Sequence, residues 1–189
     1  MASLVLSGDT SGTVTVSAPA VAGSNTQTLA AVTGTLAPVV SGTAVTASGT
    51  SVDFTGIPSW VKRITVMMKG VSTNGSSNLL IQLGDSGGIE NTGYTAAAGS
   101  IGNAMASSTS GYILTQTNSA AYTHQAVAVI TSLNSSNTWM CSSIDMIGGT
   151  NGFSATGSKA LSDTLTQVRI TTVNGTDTFD AGTINILYE

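Results

Sequence analysis

Charge is scarce in this chain. Asp, Glu, Lys and Arg make up 7% of its residues, where an average soluble domain has roughly 25%. Five basic residues, Lys62, Arg63, Lys69, Lys159 and Arg169, stand against nine thinly spread acids, for a net charge of -4. Neutralising a nucleic-acid backbone takes clustered cations, so no nucleic-acid partner is expected. Cysteine occurs once, at Cys141, which excludes an intrachain disulfide and a cysteine-built metal centre. No stretch approaches the ~20 apolar residues of a membrane helix, so no membrane insertion is expected. The amino terminus, MASLVLSGDTSG, lacks a basic region, and its apolar run of about four residues is shorter than the ~7 to 15 of a signal peptide. The expectation is assembly in a cytoplasm. Missing too is any apolar recurrence at i, i+3, i+4 and i+7 over three turns, which leaves helix incidental.

What is abundant is short alternating apolar and polar stretches, in a chain with 41% hydrophobic residues and 22 glycines. Low charge with high hydrophobic content is not a disordered composition. Residues 1–45 hold the shortest pieces, Leu4-Val5-Leu6, Thr13-Val14-Thr15-Val16 and Gln27-Thr28-Leu29, separated by glycine-rich turns. Each is too short to build a core alone, so an extended arm pairing with neighbouring subunits is predicted there. From 46 to 189 the pieces lengthen. Trp60 to Lys69 alternates, with Ile64, Val66 and Met68 on one face. Asn74-Gly75 reads as a hairpin turn into a return strand, Leu79 to Leu83. Further strands are predicted at 111–116, 122–131, 138–147, 153–156, 165–173 and 182–188, with 89–109 as loops and short edge strands. The second of these, 122–131, is apolar on both faces (Ala126, Ala128 and Ile130 against Val127 and Val129), as in a central strand. About eight to ten strands with Gly/Asn turns predict an all-β fold, an antiparallel β-sandwich of jelly-roll type carrying an N-terminal β-arm.

Gly84-Asp85-Ser86-Gly87-Gly88 has the letters of a serine-protease nucleophile run and fits the Gly-x-Ser-x-Gly elbow. That chemistry needs a histidine base and an orienting carboxylate. The single histidine, His124, follows Ser86, which defeats the protease order, and only Glu90 lies between them for the hydrolase order. The run is read as a turn in which Asp85 and Ser86 bond their own backbone, and no enzymatic activity and no catalytic residue are expected. His124 is expected at a surface or interface. Asp177 and Asp180 suggest turn capping rather than a calcium site, which wants six or more oxygens; no metal and no other cofactor are expected. Trp60, Tyr94, Tyr112, Tyr122 and Trp139 are the aromatic side chains that a sugar-binding surface would draw on, although Trp139 reads as core. Lys62, Arg63 and Lys69 hold three of the five basic residues within one strand pattern and are the expected partner contact.

The segment GDTSGTVTVSAPAVAGSNTQTLAAVTGTLAP resembles the repeated segments of bacteriophage tail fibres and related virion appendages. The stretches VSGTAVTASGTSVDFTGIPSWVKRITVMMKGVSTNGSSNLLIQLGDSGGI and RITTVNGTDTFDAGTINILYE are similar to small phage and prophage structural proteins. The resemblance implies a virion structural protein assembled in the bacterial cytoplasm. It would be a capsid decoration (cement or head fibre) protein or a short tail fibre, exposed on the particle and anchored by its arm. It further implies a homotrimer in contact with major capsid or tail proteins. The alternative expectation is a carbohydrate-binding module that recognises glycans on the host surface.

Overall fold

A computed structural model describes residues 3–7, 12–17, 37–100, 103–133 and 137–189. Every regular element among them is a strand. The chain divides into two compact units, Met1–Leu36 and Ala37–Glu189. The first contains β1 (Ser3–Ser7) and β2 (Thr13–Ser17), an antiparallel pair in which Val5 stands opposite Thr15. The predicted Gln27-Thr28-Leu29 piece lies outside the described residues.

The second unit begins with β3 (Val40–Ser41), β4 (Val45–Thr46), β5 (Val52–Thr55), β6 (Arg63–Thr73), β7 (Leu79–Asp85) and β8 (Gly88–Ile89). It continues with β9 (Tyr94–Gly99), β10 (Ala106–Ser108), β11 (Tyr112–Ile113), β12 (His124–Ser132), β13 (Thr138–Ile147), β14 (Asn151–Ala160), β15 (Gln167–Thr172) and β16 (Phe179–Tyr188). One sheet has nine strands in the order β10-β9-β14-β13-β12-β6-β16-β3, with β4 also on β16; the other runs β11-β7-β15-β5, with β8 on β7.

Eight of these strands form a jelly roll. Taken along the chain as β4, β5, β6, β7, β11, β12, β15 and β16, they fall into facing sheets ordered 4-16-6-12 and 5-15-7-11, all antiparallel. That is the double Greek-key order of a jelly roll. Two insertions, β8–β10 and β13–β14, supply β9, β10, β13 and β14, which widen the first sheet beyond the second. The arm boundary expected at 45/46 differs from the observed division at 36/37, because Ser41 pairs with Leu187 and Val45 with Ile184.

Alternation decides what the sandwich encloses. On β6 the inward Ile64, Val66 and Met68 are buried, as are Leu79, Ile81 and Leu83 on β7, which together build the centre of the core. Strand β6 starts three residues later than predicted and runs on to Thr73. Asn74-Gly75 does not close a hairpin, since β6 and β7 lie in different sheets. Gly75 instead makes room for the Asp177 carboxylate, which a Cβ there would displace. The strand predicted at 111–116 shrinks to two residues, whereas the short one at 153–156 becomes the ten-residue β14.

Two tyrosines tie the sheets together. Tyr112 on β11 donates its hydroxyl to the Trp139 carbonyl on β13 at 2.9 Å, while the Leu83 amide on β7 donates to the Tyr94 hydroxyl on β9 at 2.6 Å. Their rings meet edge to face with centroids 5.1 Å apart, an arrangement worth about 1 kcal/mol beyond area burial. Burial pushes both phenols well above their ordinary range, so each remains a neutral hydrogen-bonding group.

Candidate interaction surface

The outer face of the nine-stranded sheet groups four exposed large hydrophobic side chains, Val127, Met140, Ile144 and Met146. On β6 the outward residues are Arg63, Thr65, Met67 and Lys69; on β12 they are Gln125, Val127, Val129 and Thr131; on β13 they are Met140, Ser142, Ile144 and Met146. Val127 is 49% exposed and Ile144 71%. Register places Val127 directly opposite both Met67 and Ile144, so three apolar side chains form one row across adjacent strands. Shallow hollows of about 310 and 600 Å³ flank Val127, one lined with Val129 and Ile144, the other with Met67 and Lys69. Strand β12 is central, as its apolar faces predict, but only the Ala126, Ala128 and Ile130 face is covered. The second apolar face, Val127 and Val129, packs into no core among the described residues.

The three predicted contact residues do not form one patch. Arg63 forms an ion pair with Glu189, and the Lys62 backbone amide donates to the Glu189 carbonyl at 2.8 Å. Lys69 lies six residues further along β6, roughly 20 Å at about 3.3 Å per residue, beside the Met67 hollow. Lys62 and Lys69 are exposed and make no ion pair among the described residues.

His124 is not a surface residue. It is fully buried, with Nδ1 2.6 Å from Asp145 Oδ2 and Nε2 3.0 Å from Asn118 Oδ1. The Asn118 amide has one possible orientation here, because its oxygen accepts from the Ser119 amide at 2.8 Å and its nitrogen donates to the Ser77 carbonyl at 2.8 Å. Nε2 must therefore be a donor, and Nδ1 is engaged by the carboxylate. Neither nitrogen is free to act as base for Ser86, which is exposed on the turn after β7. Nothing about Ser86 itself predicted this; the pairing of His124 with Asp145 depends on the β12–β13 register.

The Gly84–Gly88 turn has its own carboxylate network. Asp85 accepts from the Gly87 amide at 2.7 Å and from the Ser162 hydroxyl at 2.7 Å. The Ser162 and Gly87 hydrogen bonds hold the Asp85 carboxyl below the usual range. Glu90 accepts from the Ser162 amide at 2.7 Å and pairs with the buried Lys159, whose ammonium also lies 5.4 Å from the Tyr94 ring centroid. In the second loop, Asp177 caps the Ser77 amide at 2.9 Å and accepts from Asn174 at 2.6 Å, while Asp180 is bonded by Ser72. Asp177 thus caps a turn as expected, whereas Asp180 lies within β16 and its bond to Ser72 crosses to β6, so the expected turn capping by Asp180 is corrected.

Of the aromatic residues named above, Tyr94, Tyr112 and Trp139 are core. Trp60 is 39% exposed and packs on the half-buried Tyr188 with ring centroids 6.0 Å apart. A separate polar groove of about 330 Å³ crosses the outer face of the smaller sheet, over Gln82, Arg169 and Thr171. Arg169 is occupied there by a bidentate pair with Asp53, both bonds at 2.7 Å. Comparison with family models, with curated proteins and with solved structures finds no match to this chain.

Proposed function

We propose that this protein is a non-enzymatic structural component of a bacteriophage virion, a capsid decoration or short tail fibre protein displayed on the particle surface. The observation that carries the reading is the uncovered apolar row of Met67, Val127 and Ile144 on a broad, nearly charge-free sheet. Exposed apolar patches beyond a few hundred Å² mark interaction surfaces, and a permanent assembly is where such a face is normally covered. The N-terminal unit supports the same reading. A lone two-stranded hairpin is marginal in water, yet β1–β2 leaves Leu6 and Val16 55% and 60% exposed, so it gains stability from partner chains. In this reading the hairpin region anchors the sandwich to major capsid or tail proteins, and copies of the chain close around a threefold axis that satisfies open strand edges.

Deletion of residues 1–36 tests this. The sandwich should still fold, and the truncated protein should be missing from purified particles; incorporation at the full-length level would contradict anchoring by that region.

A second reading, a carbohydrate-binding module for host-surface glycans, is favoured by the Trp60–Tyr188 pair, which offers an exposed aromatic face next to Arg63 and Glu189. It predicts glycan-array binding that Trp60→Ala abolishes.

A further inference from the structure

We propose that the outer face of the nine-stranded sheet pairs with the same face of a second copy of this chain, around a twofold axis running along β12. The inference rests on the structural role proposed above and adds the partner and the geometry. Strand β12 lies between β6 and β13, and the two registers align the outward side chains in rows centred on it. A half-turn about β12 exchanges β6 with β13 and leaves each row at its own height. Met67 then faces Ile144 of the partner subunit, and Thr65 faces Ser142 of the partner subunit. Val127 and Val129 meet their own counterparts on the axis.

Charge does not oppose this arrangement. Lys69 shares its row with Met146, and Arg63 shares its row with Met140. The half-turn therefore lays each cation along a methionine and never opposite another cation. A long basic side chain can cover such a surface with its stem and keep its charged head in water. A mirror-like row of equal charges would instead have opposed the pairing. Contacts of this reciprocal kind, i to j and j to i, define a closed twofold interface.

Size agrees as well. Five strands from β16 to β14 at ~4.8 Å, over about eight residues at ~3.3 Å, make a face of roughly 600 Å², close to the ~800 Å² per partner of a standard interface. Two sheets stacked ~10 Å apart would interdigitate the rows as in an ordinary sandwich. The contact joins chains in pairs whatever other axis the N-terminal region supplies.

The test uses the purified full-length protein. Val127→Cys under mild oxidation should give a disulfide-linked dimer on a non-reducing gel, because the two side chains meet on the axis. Thr92→Cys, on an exposed loop, should not. Cys141 is buried and adds no background. Val127→Lys places two ammonium groups together and should halve the mass measured by light scattering, with an unchanged circular dichroism spectrum. A wild-type mass that Val127→Lys leaves unaltered would overturn the proposal, whether the protein is a monomer or is held together elsewhere. So would cross-linking of Val127→Cys no stronger than that of Thr92→Cys. A protein that cross-links through position 127 but is absent from virions would keep this contact and refute the virion role; the reverse outcome would separate them the other way.

Discussion

Replacing His124 by alanine strands the Asp145 carboxylate in the core, since the imidazole is its hydrogen-bond partner at 2.6 Å and both side chains are fully buried. Breaking a buried pair in this way costs about 3 to 5 kcal/mol, so urea denaturation of His124→Ala should show a loss of that size. A loss under about 1 kcal/mol would mean the pair is solvated. Cys141 gives a second prediction at this scale. Burial pushes its thiol up to about 12, so iodoacetamide should leave the native protein unmodified at neutral pH and label it once unfolded. Modification at the unfolded rate would contradict its placement. The position of His124 was partly legible. Period-2 alternation puts it on the face of Ala126, Ala128 and Ile130, and Asp145 on the face of Trp139 and Cys141. What alternation cannot supply is the cross-strand register that brings 124 near 145, nor the loop that delivers Asn118, so the histidine looked like a surface residue.

Strands were the most legible elements, and their ends the least. The alternation of β6, β13, β15 and β16 survives in their burial patterns, because a pleated strand with one covered face imposes it. Turn assignments failed where the partner was remote. Asn74-Gly75 has the composition of a hairpin turn, but Asp177, about a hundred residues away, is what packs against it. Gly182 lies at an irregularity between β16 and β6, with φ +96 and its missing Cβ 2.5 Å from the Gly70 carbonyl. Gly182→Ala should therefore lose more than about 1 kcal/mol in thermal or urea unfolding, and a neutral result would contradict the bulge. The loops govern the response to acid. Asp85 is held low by Ser162 and Gly87, and Asp177 by Asn174 and Ser77. Burial alone would raise Glu90, but Lys159 and Ser162 more than offset it. Unfolded Asp and Glu titrate near about 3.9 and 4.3, so these groups stabilise the fold fully above those values. That contribution is lost as pH falls through their depressed folded values. Melting temperature should accordingly drop below about pH 4, and Asp177→Asn should flatten that dependence.

At the scale of the whole molecule, composition and alternation were enough for an all-β sandwich, and the strand order completes a jelly roll with two insertions. The strand at 138–147 was legible, but its place in the sheet, as an insertion beside β12, was not. The insertions add β13 and β14 beside β12, and in doing so spread one sheet past its partner and create the face that carries Ile144 and Met146. In the sequence Val127 and Val129, on the neighbouring β12, read as the second apolar side of a central strand. Hydrophobicity tells which side chains avoid water, not which molecule covers them. The basic residues show the same limit, since adjacency along β6 suggested one patch where the strand holds Lys69 apart from Lys62 and Arg63. The claim on which the account depends is that this jelly roll is displayed on a virion with its apolar sheet face covered by protein. Electron cryomicroscopy of intact particles measures that directly. The prediction is outward density that fits the sandwich and shows Met67, Val127 and Ile144 against a neighbouring polypeptide; density showing that face open to solvent, or particles with none for this chain, would contradict it.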